Sequence, residues 1–215
     1  IQGKLYPSMD YKLMVVYLKN INLVIKLLYI FYIIIMNLFI SLLRAAPALV
    51  FSISLILFII TRIDIYLLLS IVITVGETIN TVLKHYVFKP IMKNKYWPIL
   101  GYGTRPKNSK NSAQFGNINT PPYKGSYGMP SGHSQTTVTF AIFLIMTLLD
   151  YHSNISDSLL YLYISLIVVY SILVLWSRIY LKCHTIQQVI IGSTIGIILG
   201  YYGYIYGKLL INDTT

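Results

Sequence analysis

Acidic residues are scarce in this chain: six Asp and Glu stand against 17 Lys and Arg, a formal charge of +11. Cysteine occurs once, which excludes an internal disulfide framework. Charged residues of both signs make up only 11% of the chain, whereas a water-soluble domain carries about 25%. So few charges cannot cover a surface wetted on every side. A hydrophobic content of 56% is too high for a disordered tail, and no collagen-like glycine period is present. These absences leave a polytopic membrane protein, with mean hydropathy +0.67 and a positive surplus that needs an anionic partner.

A helix needs about 20 mostly apolar residues to cross the hydrocarbon core. Six stretches meet that length or approach it: 22–43, 46–61, 63–83, 133–149, 158–177 and 186–206, the second being short. Arg44 with Pro47, Arg62 with Asp64, Asp150 to Asp157, and Ser177 to Thr185 separate them. The expected fold is therefore all-α, a polytopic membrane helical bundle of about six transmembrane helices. Residues 1–21 read as an amphipathic lead-in rather than a signal peptide, because no small-residue cleavage site ends them. Residues 22–215 read as one membrane-embedded domain. Tyr201, Tyr202, Tyr204 and Tyr206 read as interfacial anchors.

The connection 84–132 is far longer than the usual four to six residues. It holds six of the eight prolines, with Gly101, Gly103, Gly116, Gly125 and Gly128. Eight of the 17 basic residues lie there (Lys84, Lys89, Lys93, Lys95, Arg105, Lys107, Lys110 and Lys124), and no acid does. By charge alone it is either a loop held near anionic headgroups or an anion-binding element.

Three clusters favour the second reading. Lys84 and Arg105-Pro106 belong to the loop. Gly128-Met129-Pro130-Ser131-Gly132-His133-Ser134-Gln135 leads into the fourth span. Ser177-Arg178, five intervening residues, His184 and then Gln188 join the fifth span to the sixth. With alternating spans, all three fall on one membrane face. Ser131 can cap a helix whose first amides, at Gly132 and its neighbours, point outward as an anion site. Arg105 and Arg178 offer planar forks to phosphate oxygens, and Lys84 a point charge. Two histidines beside a phosphate can divide the labour of nucleophile and proton donor.

In these residues the chain resembles the type 2 phosphatidic acid phosphatase superfamily, which includes the vanadium haloperoxidases. The second and third clusters, with Gln188, Val189 and Gly192, look most like its dolichyl-diphosphate phosphatase branch. The resemblance covers residues 80–196. It implies a haloperoxidase-like helical core and a metal-independent hydrolase without cofactors. His184 would be the nucleophile forming a phosphohistidine and His133 the general acid and base. Lys84, Arg105, Ser131, Gly132 and Arg178 would hold the phosphate, and Gln188 would support His184. The substrate would be a polyprenyl diphosphate such as dolichyl diphosphate, in the endoplasmic reticulum or a related endomembrane. Neither nucleic acid nor a required protein partner is implied. A broader lipid phosphate phosphatase and a catalytically inactive lipid-phosphate binder are the alternatives.

Two positions depart from the family pattern. Six residues normally separate the Lys from Arg-Pro, whereas here 20 residues separate Lys84 from Arg105. The intervening segment is either an insertion or the source of a substitute in Lys89, Lys93 or Lys95. Gln188 stands where most members have Asp; it can accept a hydrogen bond from imidazole but adds no charge. It also forms a capping-box pair with Thr185. His184, Gln188, Gly192, Gly196 and Gly200 recur every four residues, which places a small-residue packing seam and the two polar groups on one stripe. Glu77 lies inside an apolar span, either supporting Lys84 or bonded to a neighbouring helix. His85 and His152 read as surface residues, and Cys183 as an inert thiol. The basic excess, and the sequons at Asn154 and Asn212 on the opposite face, point to a cytoplasmic site. The resemblance implies a lumenal one.

Overall fold

This computed structural model describes residues 11–111, 120 and 126–212. The lead-in before Tyr11, together with Gly116, Pro121, Pro122, Lys124, Gly125, Asp213 and Thr214, lies outside the described residues. The chain divides into two compact units, Ile1–Ser41 and Leu42–Thr215. The first holds most of helix α1 (Tyr11–Arg44), in which Asn22–Arg44 is long and apolar enough to span a membrane.

The second unit contains α2 (Ala46–Thr61), α3 (Asp64–Val82), α4 (Lys89–Met92), α5 (Gly132–Asp150), α6 (Asp157–Tyr180) and α7 (Ile186–Asn212). Two strands of two residues each, β1 (Tyr96–Trp97) and β2 (Gly101–Tyr102), form an antiparallel hairpin after α4. Among the described residues, five helical stretches are long and apolar enough to cross a bilayer, and α2 adds a shorter apolar helix of 16 residues. The predicted six spans thus correspond to five full-length candidates and one short helix.

The third span differs from its predicted end at residue 83. A π-helical turn, Leu83–Phe88, carries α3 into α4, so the apolar stretch runs from Asp64 to Met92 over 29 residues. Lys84, His85 and Lys89 read as the end of a span because each is polar. Pro90 does not end the stretch early: it stands directly after the π turn and only two residues before the end at Met92, where the helical bonding is already irregular. The long connection therefore begins at Lys93 rather than Lys84.

Helix α5 is the axis of the unit, packing most extensively on α7 and then on α6 and α3. The period-four glycines explain its closeness to α7. A Cβ at Gly192 would lie 2.5 Å from the carbonyl oxygen of Ser131, one at Gly196 2.5 Å from that of Gln135, and one at Gly200 2.7 Å from that of Thr139. Backbone meets backbone along the whole seam, as small residues permit where lipid supplies no hydrophobic drive between helices. The matching order also sets α5 and α7 parallel, with both N-termini at one end of the unit. Leu69, Phe143 and Tyr204 lie in the apolar core beside the seam. Tyr204 departs from its expected role as an interfacial anchor. It is only 1% exposed, packs edge-on against Phe143 at 5.4 Å, and donates its hydroxyl to Asp150. Tyr201, Tyr202 and Tyr206 are exposed, as anchors would be.

Candidate active site

The N-terminal ends of α5 and α7 meet the loop at a cleft of about 620 Å³ lined by Glu77, Lys84, Arg105, Gly132, His133 and His184, among others. Five of the residues predicted for the site, Lys84, Arg105, Gly132, His133 and His184, therefore line one cavity. Ser131, Arg178 and Gln188 lie behind it, each fully buried. Lys89, Lys93 and Lys95 are exposed and do not line the cleft, so Arg105 accompanies Lys84 despite the long spacing.

Ser131 caps α5 in an extended conformation, accepting the amide of Ser134 at 3.4 Å. The first intrahelical bond of α5 is from Gln135 N to Ser131 O, which leaves the amides of Gly132 and His133 ahead of it at the positive end of the helix.

The five residues between Arg178 and His184 have a structural purpose. Helix α6 ends at Tyr180, Lys182 takes a left-handed φ of 54°, and the chain turns back. The amides of Cys183 and His184 then both donate to the carbonyl of Arg178, at 2.9 and 3.2 Å. That turn brings His184 over the helix end that carries the guanidinium. Cys183 is buried in the turn, and burial pushes its thiol pKa up, so the residue is an uncharged filler rather than a nucleophile.

The hydrogen bonds of His184 define its tautomer. Nδ1 donates to the carbonyl of Gly128 at 3.0 Å and to Gln188 Oε1 at 3.1 Å. The orientation of Gln188 is itself fixed, because its Nε2 donates to the carbonyls of Tyr102 at 2.8 Å and Thr104 at 2.7 Å. With both amide hydrogens so placed, Oε1 must face the imidazole. The proton therefore sits on Nδ1, and Nε2 keeps its lone pair, 3.2 Å from Arg105 Nη1. Gln188 also completes the predicted capping box: Thr185 N donates to Oε1 and Gln188 N to Thr185 Oγ1, both at 3.3 Å. One side chain thus performs both of the tasks expected of it. Burial first, and then the positive charges of Arg105 and Lys84, lower the His184 pKa well below the ordinary histidine value, so the imidazole is neutral.

His133 donates from Nε2 to the carbonyl of Arg44 at 2.9 Å. Arg178 places Nε and Nη2 on Ser177 Oγ, at 3.0 and 2.9 Å, and Nη2 also reaches the Leu43 carbonyl at 3.3 Å. Its Nη1 is buried without a hydrogen-bond partner. Arg105 is anchored through Nε to Ser126 Oγ at 2.6 Å and through Nη1 to the Cys183 carbonyl at 2.8 Å.

Glu77 takes the second of its two expected roles, bonded to a neighbouring helix, within a polar network that the sequence reading did not assemble. Glu77 accepts the hydroxyl of Thr136 on the neighbouring helix while lining the cleft. Asn80 donates to Gln135 at 2.8 Å, and Gln135 donates to the Gly76 carbonyl at 2.6 Å. The signal for this network was present, since Asn80, Gln135 and Thr136 are polar residues within apolar spans. The carbonyls of Arg44, Tyr102, Thr104 and Gly128 had no signal, because every residue carries one.

The family model described as the PAP2 superfamily matches residues 65–210. Dolichyldiphosphatase 1 of Dictyostelium discoideum is 37% identical over 82 residues, which are 38% of this chain and 36% of that protein. The match thus spans about a third of the relative's length. In fold, the chain resembles a transmembrane PAP2 type phosphatidylglycerolphosphate phosphatase from Bacillus subtilis. The TM-score is 0.55 and the identity 20%, covering 79% of this chain and 73% of the other.

Proposed function

As the chain belongs to the PAP2 superfamily, we propose that it is a lipid phosphatase that removes the terminal phosphate of a polyprenyl diphosphate through a phosphohistidine intermediate. The observation that carries this reading is the state of His184: a neutral imidazole with its proton held on Nδ1 and its Nε2 lone pair at a cationic cleft. Nε2 attacks the terminal phosphorus, and the bond from phosphorus to the bridging oxygen breaks. The negative charge of the bound diphosphate lets His133 take up a proton on Nδ1, which it gives to the leaving oxygen while Nε2 stays on the Arg44 carbonyl. Neutral His133 then takes a proton from water, whose oxygen attacks phosphorus and frees His184 and inorganic phosphate.

Lys84, Arg105, the unpartnered Nη1 of Arg178 and the first amides of α5 neutralise the phosphoryl oxygens as charge shifts among them. These cations supply the charge that a metal ion would supply elsewhere, so the reaction proceeds without one. The similarity to a dolichyldiphosphatase supports a dolichyl-type isoprenoid diphosphate as substrate, and with that substrate the chain would reside in the endoplasmic reticulum or a related endomembrane.

The test is phosphate release by the purified chain from polyprenyl diphosphate and from phosphatidic acid, each with a chelator present and with His184→Ala alongside. The expected result is chelator-resistant release favouring the diphosphate and abolished by His184→Ala. No release from either lipid would refute the enzyme reading. Equal turnover of both would refute the diphosphate assignment, and loss in chelator the metal-free mechanism.

A further inference from the structure

The segment that separates Lys84 from Arg105 continues directly from a membrane span and forms an exposed hairpin. The span ends at Met92, and Lys93 leaves it with a φ of 48°. Strands β1 and β2 pair Tyr96 with Tyr102 and Trp97 with Gly101. Gly101 closes the hairpin at φ 69°, a conformation that a side chain would strain. The root is well held. Tyr127 donates its hydroxyl to the carbonyls of Phe88 and Lys93, at 3.3 and 3.2 Å. Leu100 packs on the buried group of Met92, Tyr127 and Met129, and the amides of Gly128 and Met129 both donate to the Gly103 carbonyl at 3.0 Å. The tip is the opposite. Ile99 is 87% exposed, Tyr96 59% and Trp97 38%, so apolar and amphipathic side chains project from an immobilised base.

An apolar tip of this kind is costly in water and commonly marks a contact surface. Charge identifies the contact. Lys89, Lys93 and Lys95 flank the tip and are exposed, and residues 84–132 contain no acid. Aromatic rings with lysines around them suit the headgroup layer of a bilayer, where ring and methylene groups enter the acyl boundary and ammonium groups meet lipid phosphates. The hairpin starts one residue beyond a span, so that layer is within its reach. We propose that the hairpin Lys93–Tyr102 is a second, peripheral membrane contact, docking Trp97 and Ile99 into the anionic headgroup layer of the bilayer that the helices cross.

The chain has two tryptophans, Trp97 and Trp176, and Trp176 stacks on Tyr180 at a centroid distance of 4.7 Å. Trp176→Phe therefore keeps an aromatic ring there and leaves Trp97 as the sole reporter. The full chain would be reconstituted into phosphatidylcholine vesicles with and without phosphatidylglycerol, and Trp97 emission measured with acyl-brominated lipid and with aqueous acrylamide. Docking predicts a blue-shifted Trp97 that brominated lipid quenches severalfold more than acrylamide does. The contrast should increase with phosphatidylglycerol and decrease in a Lys93→Glu, Lys95→Glu, Ile99→Asp variant. Trp97 open to acrylamide and untouched by brominated lipid would overturn the proposal. So would protection that follows the protein-to-lipid ratio, which would identify a second copy of the chain as the occupant. None of these readouts depends on phosphatase activity, so the result stands apart from the outcome for the proposed reaction.

Discussion

At one end of the parallel α5–α7 pair, Lys208 forms an ion pair with Asp150, and Tyr204 donates to the same carboxylate. At the other end, Arg178 is wholly buried with its Nη1 unpartnered, behind a cleft lined by two more cations, Lys84 and Arg105. Lys208–Asp150 is the single ion pair among the described residues. The two ends of this helix pair therefore differ: at one the charges close on each other within the protein, and at the other Arg178 of α6 keeps an unpartnered Nη1 behind a cleft in which two cations meet a single carboxylate, Glu77. A buried guanidinium facing no carboxylate is expensive to maintain, and such an arrangement makes sense when a bound phosphate completes it.

Three substitutions probe this contrast, from the largest effect to the smallest. Arg178→Met should lower kcat/KM by about 10²- to 10³-fold, the usual cost of deleting a group aimed at transition-state charge. Its melting temperature without ligand should match or exceed the wild type, since an isolated buried charge is removed. Vanadate or phosphate should raise the melting temperature of the wild type and not that of the variant. A variant that melts much lower would show Arg178 to be part of the scaffold instead.

Gln188→Glu comes next, with a loss of roughly tenfold, because a carboxylate would face the carbonyls of Tyr102 and Thr104 that now accept from Nε2. The pH profile gives the finer reading. Wild-type His184 has a lowered pKa, so its neutral, nucleophilic form should persist below about pH 6.5. A negative charge at position 188 would stabilise the imidazolium and raise that pKa, moving the acid limb of kcat/KM to higher pH. An unmoved limb would remove Gln188 from the neighbourhood of the titrating group.

Lys208→Ala should matter least: about 0–1 kcal/mol of stability, as is usual for a half-exposed pair, and unchanged turnover. Loss of activity in this variant would collapse the distinction between the two ends.

The part of this arrangement that was legible in sequence is the part written in rare residue types. Helical spans are long apolar runs, and Arg178, His133 and His184 are polar residues at fixed distances from span ends. The five-residue spacing was readable, but its reason was not. It depends on Lys182 turning left-handed so that two amides can reach one carbonyl. The extension of α3 to Met92 was obscured because Lys84, His85 and Lys89 look like loop residues until a π turn carries them on. Tyr204 was misplaced because hydropathy cannot distinguish a tyrosine at the lipid interface from one buried against Phe143. The partners of Gln188 and His133 are main-chain oxygens, and no composition or periodicity distinguishes one carbonyl from another.

The glycine seam has a consequence for how such a chain can change over time. The two histidines are mounted at the starts of α5 and α7, and the distance between those helices is set where the main chain of one rests on the main chain of the other. Side chains on the outer faces take no part in that gauge. Lipid-facing positions such as Leu162, Leu166 and Ile197 can then drift to suit a thicker, thinner or stiffer bilayer, and the chemistry is inherited unaltered. A mutation at Gly192, Gly196 or Gly200 has no such latitude.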